Sequence, residues 1–96
     1  MNEFKFSGTI SALEVKQTKA GKQFATFTML APDSYDAERQ LQVRMTAFGK
    51  AAETVIGLGE FAEVIASGKI DSREWQGKHY LDLKALNIES VGGVGL

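Results

Sequence analysis

Two stretches of this chain interleave flat rings with cations. One holds Arg44, Thr46, Phe48 and Lys50, and the other holds Lys69, Arg73, Trp75, Lys78 and Tyr80. A ring stacks on another π-face and a guanidinium or ammonium neutralises an anion. Together these residues offer non-covalent capture of a polymer with exposed bases and one charge per unit. Unpaired nucleic acid is such a polymer, and ring stacking accepts RNA bases as readily as DNA bases. Lys16, Lys19 and Lys22 form a further basic group, read either as phosphate contacts or as a solubilising hairpin edge.

Covalent chemistry finds no comparable grouping. The chain has one histidine, His79, and no cysteine, so no thiolate or paired-imidazole ligand set can form. No phosphate-cradling Gly-x-x-x-x-Gly-Lys-Ser/Thr run occurs, and no nucleophile is spaced with a base. The trio Asp71, Glu74 and Asp82 invites a metal reading, but strand alternation sets at least one of them on another face or at a turn. The expectation is a binding protein that is not an enzyme and has no cofactor and no metal. Lys and Arg total 11 against 12 Asp and Glu, so any positive surface must come from placement. Asp33, Asp36 and Glu38 crowd into one segment, which leaves the cations elsewhere free to form a positive groove.

Positioning these residues falls to short elements that the apolar pattern marks. Phe4, Phe6 and Ile10 alternate with polar residues, and then the phase flips to Leu13 and Val15. That flip predicts one long first strand that bends near Ser11, with Gly8 permitting a close backbone approach. Thr18 to Lys22 reads as a hairpin turn around Gly21. Strand two follows from Gln23 to Ala31, with Ala25, Phe27 and Met29 on one face and Thr26 and Thr28 on the other. Pro32 to Glu38 reads as a surface loop displaying Tyr35. Strand three carries Leu41, Val43, Met45 and Ala47 on its buried side and Gln40, Gln42, Arg44 and Thr46 outside.

Phe48 continues the outward set and so belongs on the exposed sheet, although a lid over the following helix is the competing reading. Ala51, Ala52, Val55 and Ile56 recur at helical spacing over Gly49 to Leu58, ended by Gly57 or Gly59. Phe61 to Ile70 and Lys78 to Val91 predict two last strands around the turn Trp75, Gln76, Gly77, Lys78, with a phase shift between Ala85 and Leu86. Phe4, Phe6, Phe24, Phe27 and Phe61 are assigned mostly to core or interface. The expected fold class is all-β: a five-stranded OB-fold Greek-key barrel with one short α-helix between strands three and four. Residues 1–91 form the single expected domain, and 92–96 a short flexible tail.

Four stretches, spanning roughly Phe4 to Val91, carry a resemblance to the bacterial-type and phage-type single-stranded DNA-binding protein family. They are Ser7 to Ile10 with Glu14 and Val15; Gly21 to Ala31, including Ala25 to Thr28; Ala47 to Glu53; and Leu58, Gly59, Ala66 to Trp75 and Gly77 to Tyr80. The resemblance implies sequence-tolerant coating of single-stranded DNA in replication, recombination or repair. It makes Trp75 a second stacking residue beside Phe48, against the plainer readings of a hairpin cap or subunit contact. The implied interface is Phe48, Trp75, Arg44, Arg73, Lys50, Lys69, Lys78, Tyr80, Thr46 and Lys22.

The family often places a tryptophan where this chain has Gln42, so one platform is replaced. It also carries a long tail with an acidic tip, whereas this sequence stops soon after Val91. A phage or mobile-element member without tail-mediated partner recruitment is the matching expectation. So short a domain is expected to associate as a dimer or tetramer. No membrane segment is expected, and the default setting is cytoplasmic. The rival readings are an OB-fold primosomal accessory and a protein-interaction module with little DNA binding of its own.

Overall fold

Alternation in the sequence becomes strand pairing in a computed structural model that describes residues 2–32 and 40–91. The acidic segment with Tyr35 and the Gly-rich end, both assigned above from sequence, lie outside the described residues. In chain order the elements are β1 (Glu3–Gln17), β2 (Gln23–Pro32), β3 (Gln40–Phe48), α1 (Gly49–Leu58), β4 (Glu63–Trp75) and β5 (Lys78–Ser90). The strands close into a barrel in the order β1-β2-β3-β5-β4, the expected OB arrangement with its helix between β3 and β4.

Closure depends on β1 serving two neighbours. Glu3 to Thr9 pair with β4, and Thr9 to Gln17 pair with β2. The strand turns between these roles at a bulge between Ser11 and Glu14, where Ala12 takes φ 51°. This is the phase flip legible in the sequence: a bulge inserts one residue and exchanges the faces of everything after it. Among the described residues Ile10, Phe27, Met29, Met45, Val55 and Val64 are the largest fully buried side chains, and α1 adds Ala51 and Ala52 against β2, β3 and β5.

A second bulge lies between β4 and β5. Ser67 pairs with Asn87 and Gly68 with Ala85, which leaves Leu86 as the extra residue and places it outside, 59% exposed. The bulge brings two backbones together at Gly68, whose missing Cβ would collide with the Lys84 carbonyl and crowd the Leu86 amide nitrogen. Gly68→Ala is therefore expected to destabilise the domain by about 1–3 kcal/mol, the usual cost of overfilling a packed site. The shift of the urea midpoint at unchanged m-value measures it. An unshifted midpoint would mean that the two strands are not held this closely.

Beyond the barrel, β4 and β5 run on as a two-stranded arm in which every residue from 71 to 81 is exposed. β4 thus extends past Ile70, where the apolar pattern stops, through to Trp75. Ladder hydrogen bonds and a two-residue turn hold the arm, with little burial to help. Gln76 at φ 51° and Gly77 at φ 76° both take positive φ, which matches the strand twist as a type I′ turn does. Two sequence assignments need correction. Phe61, assigned to core or interface, is not in the core: it stands 78% exposed at φ 73°, because its amide bonds the Ile10 carbonyl and turns the ring outward. Leu41 sits near the start of β3, where the barrel ends, and is also exposed.

Candidate nucleic-acid interface

Pairing fixes which side chains share the outer face of the sheet. Because Ala25, Phe27, Met45 and Ala47 point inward, Phe24 and Thr26 on β2 and Arg44, Thr46 and Phe48 on β3 point outward. Phe24 lies opposite Phe48, Thr26 opposite Thr46 and Thr28 opposite Arg44. On β1, Glu14 lies beside Thr26 and Lys16 beside Phe24. In the other direction Thr46 adjoins Lys84 of β5, and Lys84 faces Lys69 of β4. The face therefore crosses all five strands.

Along the arm the same alternation continues, giving Asp71 opposite Asp82, Arg73 opposite Tyr80 and Trp75 opposite Lys78. Glu74, His79, Ser72 and Leu81 take the other side, which separates Glu74 from the two aspartates. Lys78 lies six residues along β5 from Lys84 (84 − 78), so the arm carries Trp75 about 20 Å beyond the barrel rows at ordinary strand rise. Trp75 is 58% exposed and Phe48 47% exposed, so both rings are open to a partner.

Phe48 is not alone. Its ring stacks on Phe24 at a centroid distance of 5.3 Å and an interplanar angle of 24°, forming a two-ring platform at the end of β3. The sequence reading assigns Phe24 mostly to core or interface, and the core half of that reading does not hold. The alternation that sends Ala25 and Phe27 inward also sends Phe24 outward, so the signal was present in strand two. Arg73 lies 5.3 Å over the Tyr80 ring, which presents a cation and an aromatic as one unit.

Charge on this face is mixed, where the sequence points to a positive groove. Arg44 donates to Glu14 at 3.1 Å and to the Thr26 hydroxyl at 3.2 Å. Arg73 pairs with Asp82 at 3.0 Å, and Lys84 with Asp71 at 3.4 Å. All six charged side chains are at least 43% exposed, so each pair contributes only about 0.2–1 kcal/mol to stability and can exchange partners. Among the described residues no carboxylate pairs with Lys16, Lys69 or Lys78. Thr26 is buried because it lies mid-sheet beneath the Arg44 side chain, which bonds its hydroxyl.

Of the residues singled out from sequence, pairing brings Arg44, Thr46, Phe48, Lys69, Arg73, Trp75, Lys78 and Tyr80 to this one face. Lys22 and Lys50 stand apart from the rows. Lys22 closes the first hairpin turn, its amide donating to Thr18 Oγ1, and Lys50 is exposed on the first turn of α1. Gln42 is exposed two residues before Arg44 on the outward register. Lys84, Phe24 and Glu14 join the face although sequence reasoning did not select them for it.

A closed five-stranded barrel whose outer sheet carries rings and cations defines an OB-fold domain with an open, elongated contact face. No protein-family model and no curated protein matches the chain. Among solved structures it is similar to the crystal structure of Rim1, a mitochondrial single-stranded DNA binding protein from S. cerevisiae. The TM-score is 0.76 at 10% identity, over 94% of this chain and 95% of that one. A likeness at that identity establishes the barrel, and the chemistry of the face has to be argued from its own residues. Among the described residues no helix is long and apolar enough to cross a membrane.

Proposed function

We propose that this domain binds single-stranded DNA without base specificity and acts by coating it in replication, recombination or repair, without catalysis. The observation that carries the reading is the shared outer face, with the Phe24–Phe48 stack at one end, Trp75 with Lys78 at the other, and Arg73 with Tyr80 between. Stacking on such rings contributes about 1–3 kcal/mol per base and tolerates every base, so two or three stacked bases with a few phosphate contacts reach micromolar affinity or better. The rows on the barrel together with the arm suit a strand of several nucleotides, within the roughly 4–16 that one OB domain occupies. A cytoplasmic setting and assembly as a dimer or tetramer belong to the same proposal. Exposed Phe61, Leu81 and Leu86 supply apolar surface for association, and sedimentation of the pure protein measures it.

Trp75 is the one tryptophan, so titration with oligo-thymidine reports directly on the arm. Quenching of its fluorescence is expected. With three to five phosphates contacted, the affinity should fall with salt at a log–log slope of about −2 to −3.5, from about −0.7 per contact. Absence of both quenching and a mobility shift at low salt would sink the reading. It would favour instead the protein-interaction module or primosomal accessory, whose supporting observation is Leu81, 69% exposed on the opposite side of the arm.

A further inference from the structure

We infer that Glu14, Asp71 and Asp82 make this face select single strands over duplex, by penalising phosphates that are pressed against it. The inference rests on the single-strand reading above and adds a selectivity device to it. The three carboxylates lie in the rows that carry the rings. Glu14 flanks Thr26, while Asp71 and Asp82 face one another across the arm between the Lys69–Lys84 and Arg73–Tyr80 pairs.

Each of the three already occupies a cation in the way a phosphate would. Glu14 holds Arg44 at 3.1 Å, Asp82 holds Arg73 at 3.0 Å and Asp71 holds Lys84 at 3.4 Å. The charge of those six groups sums to zero, so half of the face's cations offer no net attraction to a polyanion. Cross-strand placement of two aspartates is itself unfavourable. The sheet accepts it because the adjacent Arg73 and Lys84 pair them diagonally.

Single strands and duplexes meet this arrangement differently. A single strand can lay its bases on Phe48, Phe24 and Trp75 and turn its phosphates toward Lys16, Lys69 and Lys78, which hold no carboxylate among the described residues. In a duplex the bases are stacked inside, and the surface presents one charge per about 1.7 Å of axis. Rings find nothing to stack on, and phosphates are pressed toward a face on which half of the cations already hold carboxylates. Coulomb repulsion between unit charges about 4 Å apart in water is worth close to a fivefold change in affinity. The cation that each carboxylate holds cancels part of that repulsion, so three such contacts together suppress duplex binding by about tenfold, while a single strand that turns its phosphates to the unpaired lysines is less affected.

The test compares the wild type with the triple variant Glu14→Gln, Asp71→Asn and Asp82→Asn. These isosteric changes keep the hydrogen-bond acceptors that orient Arg44, Arg73 and Lys84. Glu60→Gln, in the turn after α1, is a control for a lost negative charge away from the rows. Binding to labelled oligo-thymidine and to a blunt duplex of equal length is measured by anisotropy at low and at physiological salt, with thermal midpoints confirming the fold. The triple variant should gain about tenfold in affinity for duplex and less for oligo-thymidine, with a steeper salt slope on duplex, and the control should change neither. Equal gains on both ligands, or no gain on duplex, overturn the inference while the wild type's binding of oligo-thymidine stands. If the wild type binds neither ligand, the single-strand reading falls and takes this inference with it.

Discussion

Phe27→Ala is expected to leave the domain close to its unfolding threshold. Phe27 is fully buried, lies opposite Met45 across β2 and β3, and is the bulkiest of the fully buried side chains among the described residues. Truncating a buried phenylalanine removes its transfer free energy and leaves a cavity that its neighbours fill only in part, a combined cost of about 3–5 kcal/mol. A domain of this size is held by about 5–10 kcal/mol, so the substitution consumes a large share of the total. Neighbouring strands cannot shift inward to compensate, because β2 is hydrogen-bonded on both sides and the barrel is closed. Urea titration followed by circular dichroism should show the midpoint falling by roughly half at an unchanged m-value. A loss below about 1 kcal/mol would place Phe27 outside the core and contradict the strand faces on which the outer rows depend.

The largest effect on binding is expected from removing both ends of the aromatic row. Phe48→Ala together with Trp75→Ala should weaken binding to oligo-thymidine by about 2–6 kcal/mol, from about 1–3 kcal/mol per stacked base. The two rings sit on separate structures, one at the end of β3 and the other on the arm, so the single effects should add to within about 0.5 kcal/mol. The double variant lacks the intrinsic fluorophore and is followed by anisotropy of a labelled oligonucleotide. Unchanged thermal stability is the companion measurement, because both rings are exposed and neither fills the core. Phe24→Ala supplies an internal comparison. Its ring is partly covered by Phe48, so its loss should weaken binding less than loss of Phe48 itself. Wild-type affinity in the double variant would remove the rings from any binding role and leave the arm to contact another protein.

The resemblance noted in the sequence and the barrel found in the structure agree on architecture, and the disagreements between sequence and structure have a common physical origin. Residue type assigns Phe24 to core or interface, although its position in the alternation points outward and excludes the core. Phe61 was assigned in the same way, and there the deciding factor is a backbone bond to Ile10, far away in sequence. A positive groove is the reading from sequence because composition does not reveal that Glu14 lies within reach of Arg44, 30 residues away.

What the sequence determined by itself was everything set by nearest neighbours along the chain. Period-two alternation fixed the faces of β2 and β3, its two phase slips marked the bulges at Ala12 and Leu86, and the helical spacing of small residues fixed α1 at Gly49–Leu58. Tertiary structure alone decided what depends on register between strands. It decided that Phe24 meets Phe48, that each of three cations holds a carboxylate, and that Trp75 continues the face on which Phe48 stands. Register is set by closing the whole barrel, which no local stretch encodes, so residue types could name the chemistry of the face but not the partners of its members.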